Sequence, residues 1–106
     1  MRGGAAVFAL AAALLAAGCG TGGIVKGGDS GHGKQLFQAK CGGCHTLAAA
    51  GTSGTQGPNL DQLKPPFARV KRQVENGGGP MPAFKNTLSA KQIDDVSAYV
   101  SSVAGK

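Results

Sequence analysis

The sequence has no tryptophan and one tyrosine, and its 5 Asp and Glu are outnumbered by 11 Lys and Arg. Large aromatic side chains supply much of a core's buried area, so 106 residues with 19 glycines build only a modest core. We therefore expect one small domain that is supported by a disulfide, a metal or a cofactor. No basic stretch is interleaved with aromatic residues, so the net charge of +6 does not predict nucleic-acid binding.

The sequence also lacks the alternation of apolar and polar residues that is typical of strands. It predicts an all-α domain with three to four short helices, of which three can be bounded: Ser30–Lys40, Pro66–Asn76 and Ser89–Val103. Gln92 stands three residues after Ser89, which is the spacing of a capping box. The Gly- and Pro-rich loops between these helices are long, which indicates that they wrap a bound group.

No apolar run reaches the length of about 20 residues that a bilayer-spanning helix needs. The run Ala5–Ala17 follows Arg2 and ends in small residues, which is the pattern of a secretory signal peptide. We assign residues 1–18 to this signal peptide. The mature protein is therefore expected on the periplasmic side, at the outer face of the cytoplasmic membrane.

The stretch LLAAGCG, residues 14–20, resembles the lipobox of bacterial lipoproteins. The resemblance implies that Cys19 becomes the first mature residue, carries lipid and anchors the protein in the membrane. Ala16 departs from the pattern, because lipoboxes usually have leucine at that position. Cleavage by an ordinary signal peptidase near Ala17 and an uncleaved N-terminal anchor remain as alternatives.

Residues 19–29 follow as a Gly-rich segment without an apolar period. This composition predicts a flexible tether, with a root-mean-square span of roughly 16–19 Å for about ten Gly-rich residues. Such a tether would keep the domain, residues 30–106, near the membrane and still let it turn towards partners.

The motif CGGCH, residues 41–45, is compatible with a redox dithiol, with part of a zinc site or with attached haem. A thioredoxin-type dithiol needs a βαβ pattern, and none is present. A structural zinc site needs four ligands, and Cys41, Cys44 and His45 supply at most three. Attachment of haem c fits the spacing best, with a thioether from each cysteine and His45 as an axial ligand.

The sequence resembles the class I c-type cytochromes over most of residues 29–104. Four segments carry the resemblance in order: GKQLFQAKCGGCHTL (33–47), GPNL (57–60), GPMPAF (79–84) and DDVSAYV (94–100). The resemblance implies a cytochrome c-like fold, in which short helices and long loops wrap one covalently attached haem. It further implies that the last helix crosses the first at Gly33, with Tyr99 as its aromatic residue.

Met81 is the predicted sixth ligand, because His/Met ligation is the cytochrome c pattern. Pro58 has no N–H, and the resemblance implies that its carbonyl accepts the His45 ring proton and orients the ring. His32 is the rival ligand, since it is the only other histidine. The aromatic residues Phe37, Phe67, Phe84 and Tyr99 are expected at the haem or at the helix crossing.

These residues predict a monohaem carrier of single electrons and not an enzyme, because six-coordinate iron has no open site. We expect a monomer that exchanges electrons with redox proteins such as a quinol-oxidising complex and a terminal oxidase. Basic residues near the haem edge would steer it to acidic partners: Lys34, Lys40, Lys71, Arg72 and Lys85. The alternatives are a fixed haem subunit of a larger membrane oxidoreductase, or a haem sensor or weak peroxidase if Met81 is not a ligand.

Overall fold

The computed structural model describes residues 24–25 and 27–106. The predicted signal peptide, residues 1–18, and the predicted lipid attachment site, Cys19, lie outside the described residues. Within the described part of the chain, no helix has both the length and the hydropathy needed to cross a membrane.

The described chain is mainly helical, which confirms the predicted all-α class. The helices are α1 Ser30–Lys40, α2 Leu60–Leu63, α3 Phe67–Asn76 and α4 Ala90–Val103, with a 3-10 turn at Ala48–Ala50. Two antiparallel hairpins accompany them: β1 Ile24–Val25 with β2 Gly28–Asp29, and β3 Thr46–Leu47 with β4 Thr52–Ser53. The sequence did not predict these strands, because two residues are too few to show an alternating pattern.

Side chains cap the helices at the positions where the backbone N–H groups lack helical partners. The Asp29 carboxylate accepts from the N–H groups of Gly31 and His32, so Asp29 caps α1. The predicted capping box of Ser89 and Gln92 is present at the start of α4. Pro66 was predicted inside the second helix, but its extended backbone places it just before α3.

Helices α1 and α4 cross where Gly33 faces the backbone of Asp95. A Cβ atom on Gly33 would overlap the Asp95 carbonyl oxygen and lie 2.7 Å from Tyr99 Cβ, so only glycine fits there. The ring of Phe37 packs beside that of Tyr99, with centroids 6.3 Å apart. The predicted crossing of the first and last helices at Gly33 and Tyr99 is therefore present.

The Asp95 carboxylate is buried beneath this crossing, with its side chain 1% exposed. It accepts from the Asp29 N–H at 2.9 Å, from His32 Nδ1 at 2.7 Å and from Lys91 Nζ at 3.0 Å. Burial acts to raise the pKa of Asp95, but these donors outweigh it and hold that pKa below its usual range. One carboxylate thus joins the first hairpin, α1 and α4.

The first hairpin differs from the predicted tether, because its residues pack on the domain. A Cβ atom on Gly28 would lie 2.7 Å from the Asp94 carbonyl oxygen, and one on Gly27 would enter the Phe67 ring. These two glycines let the hairpin backbone lie directly against α4 and Phe67. Within the described residues, the chain is therefore already part of the folded domain from Ile24 onward.

We predict that Gly33→Ala and Gly33→Val destabilise the haem-loaded protein, the valine variant by about 3 kcal/mol or more, because overpacking forces α1 and α4 apart. The measurement is guanidinium unfolding followed by far-ultraviolet circular dichroism. Ala39→Val, at an exposed position of the same helix, is the matched control and should cost less than about 0.7 kcal/mol. An unchanged midpoint for Gly33→Ala would contradict the tight crossing.

We predict that Asp95→Asn loses about 2 kcal/mol at neutral pH, because the charged acceptor of three donors is removed. The native pKa of Asp95 lies below the unfolded value of 3.8, so its stabilisation is present above that value and is lost as pH falls through the lower native pKa. The stability of Asp95→Asn should therefore fall less steeply on acidification. Asp94→Asn, which changes a part-exposed carboxylate, is the control. If the stability of the wild type and that of Asp95→Asn fall equally steeply with decreasing pH, this assignment is wrong.

Candidate functional site

A cavity of about 360 Å³ lies between the helices and the two long loops. Its volume falls within the range of pockets that hold small molecules and cofactors. Side chains of α1, α3 and α4 contribute Phe37, Val70, Val74, Val96 and Val100 to a mostly apolar wall. The exposed lining residues form the rim of the cavity: Lys40, Cys44, Gln56, Pro58, Leu63, Arg69, Gln73, Gly78, Pro80 and Pro82.

The two cysteines of CGGCH lie at this cavity, directly after α1. Cys41 ends the helix, and its N–H donates to the Phe37 carbonyl. Burial, with a smaller effect of Cys44, raises the pKa of the Cys41 thiol to about 11. A reactive dithiol needs a lowered thiol pKa, so this environment does not favour the redox reading of the motif. Cys44 is exposed at the rim, with its Sγ 3.3 Å from Gln56 Oε1.

His45 lines the same cavity, and its Nδ1 lies 2.8 Å from the Pro58 carbonyl oxygen. A carbonyl only accepts, so Nδ1 carries the proton of this bond and the neutral ring keeps a lone pair on Nε2. The bond that was predicted between Pro58 and His45 is therefore present. It leaves Nε2 as the ring atom available to a metal.

Two glycines let the loop after CGGCH fold closely over it. A Cβ atom on Gly57 would lie 2.6 Å from Cε1 of the His45 ring, so the loop backbone lies against the imidazole. A Cβ atom on Gly54 would lie 2.6 Å from the Gly43 carbonyl oxygen. The Gly57 N–H donates to the Cys44 carbonyl at 2.7 Å. Backbone contacts therefore fix the His45 ring on one side, while Pro58 fixes it at Nδ1.

Met81 lies in the loop between α3 and α4 and also lines the cavity. The loop reverses through Gly77, Gly78 and Gly79, which all have positive φ, and Gly78 and Met81 exchange backbone hydrogen bonds. Phe84 N–H donates to the Val74 carbonyl at 2.8 Å, which ties the end of the loop to α3. The structure therefore brings all five predicted haem-site residues to one cavity: Cys41, Cys44, His45, Pro58 and Met81.

Some residues lie elsewhere than the sequence indicated. His32, the rival ligand, does not line the cavity and is bonded to Asp95 on the far side of α1. Phe67 lies under Gly27 and is neither at the cavity nor at the helix crossing. Lys71 does not line the cavity and pairs with Asp94 at 2.9 Å. Of the five predicted basic residues, only Lys40 lines the cavity.

Sequence reasoning missed Arg69 and Gln73, which line the cavity from α3. Gln73 Nε2 donates to the Gly77 carbonyl at 3.0 Å and so supports the loop of Met81. The two side chains are four residues apart and adjacent to Val70 and Val74, so helical periodicity could have placed them on the rim. No role was predicted from the sequence for these two side chains, which lie beside the apolar face of α3.

The residues present fit a covalently bound haem. The cavity has an apolar wall, two thiols at one side, an imidazole with a free Nε2 and a thioether from the facing loop. Thiols, imidazole and thioether are the groups that hold haem in c-type cytochromes. The same set does not complete a four-ligand zinc site.

Comparisons with known proteins identify similar families and relatives. Residues 29–100 match the protein family described as "Cytochrome C oxidase, cbb3-type, subunit III". The chain is 36% identical over 83 residues to cytochrome c6 of Gloeothece citriformis, covering 74% of this chain and 76% of that relative.

Solved structures show the same similarity. The c-type cytochrome SorU from Sinorhizobium meliloti superposes with a TM-score of 0.66 at 48% identity, covering 71% of this chain and 90% of that one. Cytochrome c6C from Synechococcus sp. PCC 7002 superposes with a TM-score of 0.57 at 30% identity, covering 70% and 95%. The chain therefore belongs to the c-type cytochromes, in the family described as "Cytochrome C oxidase, cbb3-type, subunit III", and it is a small monohaem electron carrier with one haem c bound covalently through its cysteine pair.

Proposed function

We propose that this protein is a membrane-tethered carrier of single electrons, with haem iron ligated by His45 and Met81 and lipid attached at Cys19. One observation supports the proposed ligation: the His45 imidazole and the Met81 thioether line a single cavity, together with both cysteines. The tether rests on the sequence pattern that ends at Cys19.

His45 is proposed as the proximal ligand because its Nδ1 proton is held by Pro58 and its Nε2 is free. Cys41 and Cys44 would form the thioethers that hold the haem at the cavity. Met81 is proposed as the distal ligand because its loop is tied to α3 at Phe84 and at Gln73 through Gly77. A loop held in this way loses little entropy when the sulfur binds iron.

The bound haem supplies a one-electron couple, and methionine ligation favours its ferrous form. The protein side chains around it exclude water on the α1, α3 and α4 sides, where Phe37, Val70 and Val96 are buried. With both axial positions taken by the protein, oxygen or peroxide has no open site. The chain is therefore proposed as a carrier and not as an enzyme.

Redox partners are proposed to approach the rim of the cavity. Lys40 and Arg69 are exposed there, and the described ion pairs include neither of them. Unpaired positive charges beside a redox centre attract acidic partners and favour fast, transient encounters. A quinol-oxidising complex as donor and a terminal oxidase as acceptor fit a carrier at the outer face of the cytoplasmic membrane.

A fixed subunit of a larger oxidoreductase is the second candidate, because the matching family is described as a subunit of an oxidase. The described residues include the whole of that match, residues 29–100. Purification from native membranes in mild detergent separates the two roles. A carrier elutes alone, whereas a subunit stays with one complex at fixed stoichiometry.

We predict that Met81→Ala abolishes the weak ferric absorption band of an iron–sulfur bond, because the sixth ligand is lost. Its ferrous form should bind carbon monoxide rapidly, whereas the wild type binds it slowly. Its reduction potential should fall, since the ligand that favours ferrous iron is gone. Absorption spectra, carbon monoxide kinetics and a redox titration measure these effects.

Ala83→Ser, at an exposed position of the same loop, is the matched control and should keep the wild-type spectrum. A wild-type spectrum in Met81→Ala would show that another group ligates the iron. Rapid binding of carbon monoxide by the wild type would instead favour the haem sensor or weak peroxidase.

We predict that the mature protein begins at Cys19 and has the mass of the haem-loaded chain plus lipid. Two or more acyl chains give stable anchoring, so the protein should stay with membranes in high salt and leave them only in detergent. Intact-mass spectrometry and membrane fractionation measure this. Cys19→Ser should carry no lipid and keep an unchanged haem spectrum. An unmodified N-terminus at another residue would refute the tether.

A further inference from the structure

The first hairpin fixes where the beginning of the described chain lies on the folded domain. The Asp29 N–H donates to buried Asp95 at 2.9 Å, and the backbone at Gly28 lies directly against Asp94 on α4. Gly27 lies against the Phe67 ring of α3. The hairpin is therefore attached to α3 and α4, and we call Ile24, the first described residue, the exit point.

The segment between the proposed anchor and this exit point is short. Four residues separate Cys19 from Ile24. Five Cα–Cα steps reach at most roughly 18 Å. A folded domain of this size has a radius of gyration of about 12 Å and hence a width of about 30 Å. The tether is therefore shorter than the domain is wide, and the domain cannot turn its far side to the membrane.

The surface around the exit point suits a bilayer interface. Ile24 is 80% exposed and is the most exposed large apolar side chain of the described residues. The next residue, Val25, lines a shallow groove of about 410 Å³. We call Ile24 and this groove the hairpin face, and the groove is lined by Val25, Pro66, Phe67, Ala98, Ser101 and Ser102. The groove has apolar and hydroxyl side chains and no charged one, which matches the boundary between lipid headgroups and acyl chains.

Helix α4 separates the hairpin face from the haem cavity. Val96 and Val100 line the cavity, whereas Ala98 and Ser102 line the groove. At about 100° per residue, Ala98 points roughly 160° away from both valines around the helix axis. The cavity and the hairpin face are thus on opposite sides of one helix.

We infer that the hairpin face rests on the lipid bilayer and that α4 then holds the haem cavity on the side away from the membrane. This inference rests on the proposed lipid attachment at Cys19. It assigns the groove to the headgroup region of the membrane that carries the anchor. It also replaces the freely turning domain, which the longer predicted tether implied, with an oriented one.

The test places a nitroxide spin label on either side of the haem-loaded, full-length protein. The added cysteine is the only free thiol, because Cys41 and Cys44 hold haem and Cys19 holds lipid. Ser102→Cys labels the hairpin face, far along the chain from the anchor, and Thr55→Cys labels an exposed position beside Gln56 on the cavity rim. Collision rates with a water-soluble nickel chelate and with oxygen are measured before and after insertion into phosphatidylcholine vesicles.

The expected result is a loss of nickel-chelate collisions and a gain of oxygen collisions at Ser102→Cys, with no change at Thr55→Cys. Adding Ile24→Asp, at an exposed position that the fold does not need, should reduce the loss at Ser102→Cys. Equal changes at both positions, or a larger loss at Thr55→Cys, would overturn the oriented domain. The nickel-chelate collisions at Ser102→Cys could also fall without vesicles, and fall further as the protein concentration rises. That result would show that a second copy covers the groove, and it would overturn the oriented domain.

Intact-mass spectrometry of the same samples distinguishes this inference from the proposed tether. A mature protein without lipid refutes the tether and the orientation together. A protein that carries lipid and shows equal collisions at both labels refutes the orientation alone.

Discussion

The contact between helices α1 and α4 is the constraint on which the rest of the domain depends. Gly33 allows the two backbones to touch, and no side chain fits between them. This approach places Phe37 on the cavity wall opposite Val96 and Val100. Because α1 ends at Cys41, the same contact also sets where CGGCH begins relative to α4. The position of the haem site therefore depends on Gly33. Apart from Phe37, the side chains of α1 form little of the core.

The cavity explains how so small a chain with so few aromatic residues reaches a stable fold. The buried apolar side chains of the described chain are mainly valines and leucines, and several of them face the cavity instead of one another. A bound porphyrin would supply the missing apolar partner for those side chains. The loops around the site also need no large side chains, because the glycine backbones at residues 54 and 57 pack directly on CGGCH and His45.

The sequence predicted those parts of the structure that depend on local signals. The capping box of Ser89 and Gln92 follows from side chains that bond to the nearest free N–H groups, and CGGCH places two thiols and an imidazole by spacing alone. The sequence did not predict the position of Phe67, which depends on where the first hairpin lies, or the pairing of Lys71 with Asp94, which depends on how α3 packs against α4. That hairpin rests on Gly27 and Gly28, and glycines in a Gly-rich segment look the same in a tether and in a close contact.

The two sides of α4 differ in the pairing of their charged side chains among the described residues. On the hairpin side, Lys71 is neutralised by Asp94, and Lys91 contacts Asp95. On the cavity side, Lys40 and Arg69 are exposed, and the described ion pairs include neither. Lys40 and Arg69 would therefore attract the proposed acidic partners to the rim of the cavity. A short tether that holds the hairpin side at the bilayer would keep this basic rim in the aqueous phase, so orientation and charge favour the same productive encounter.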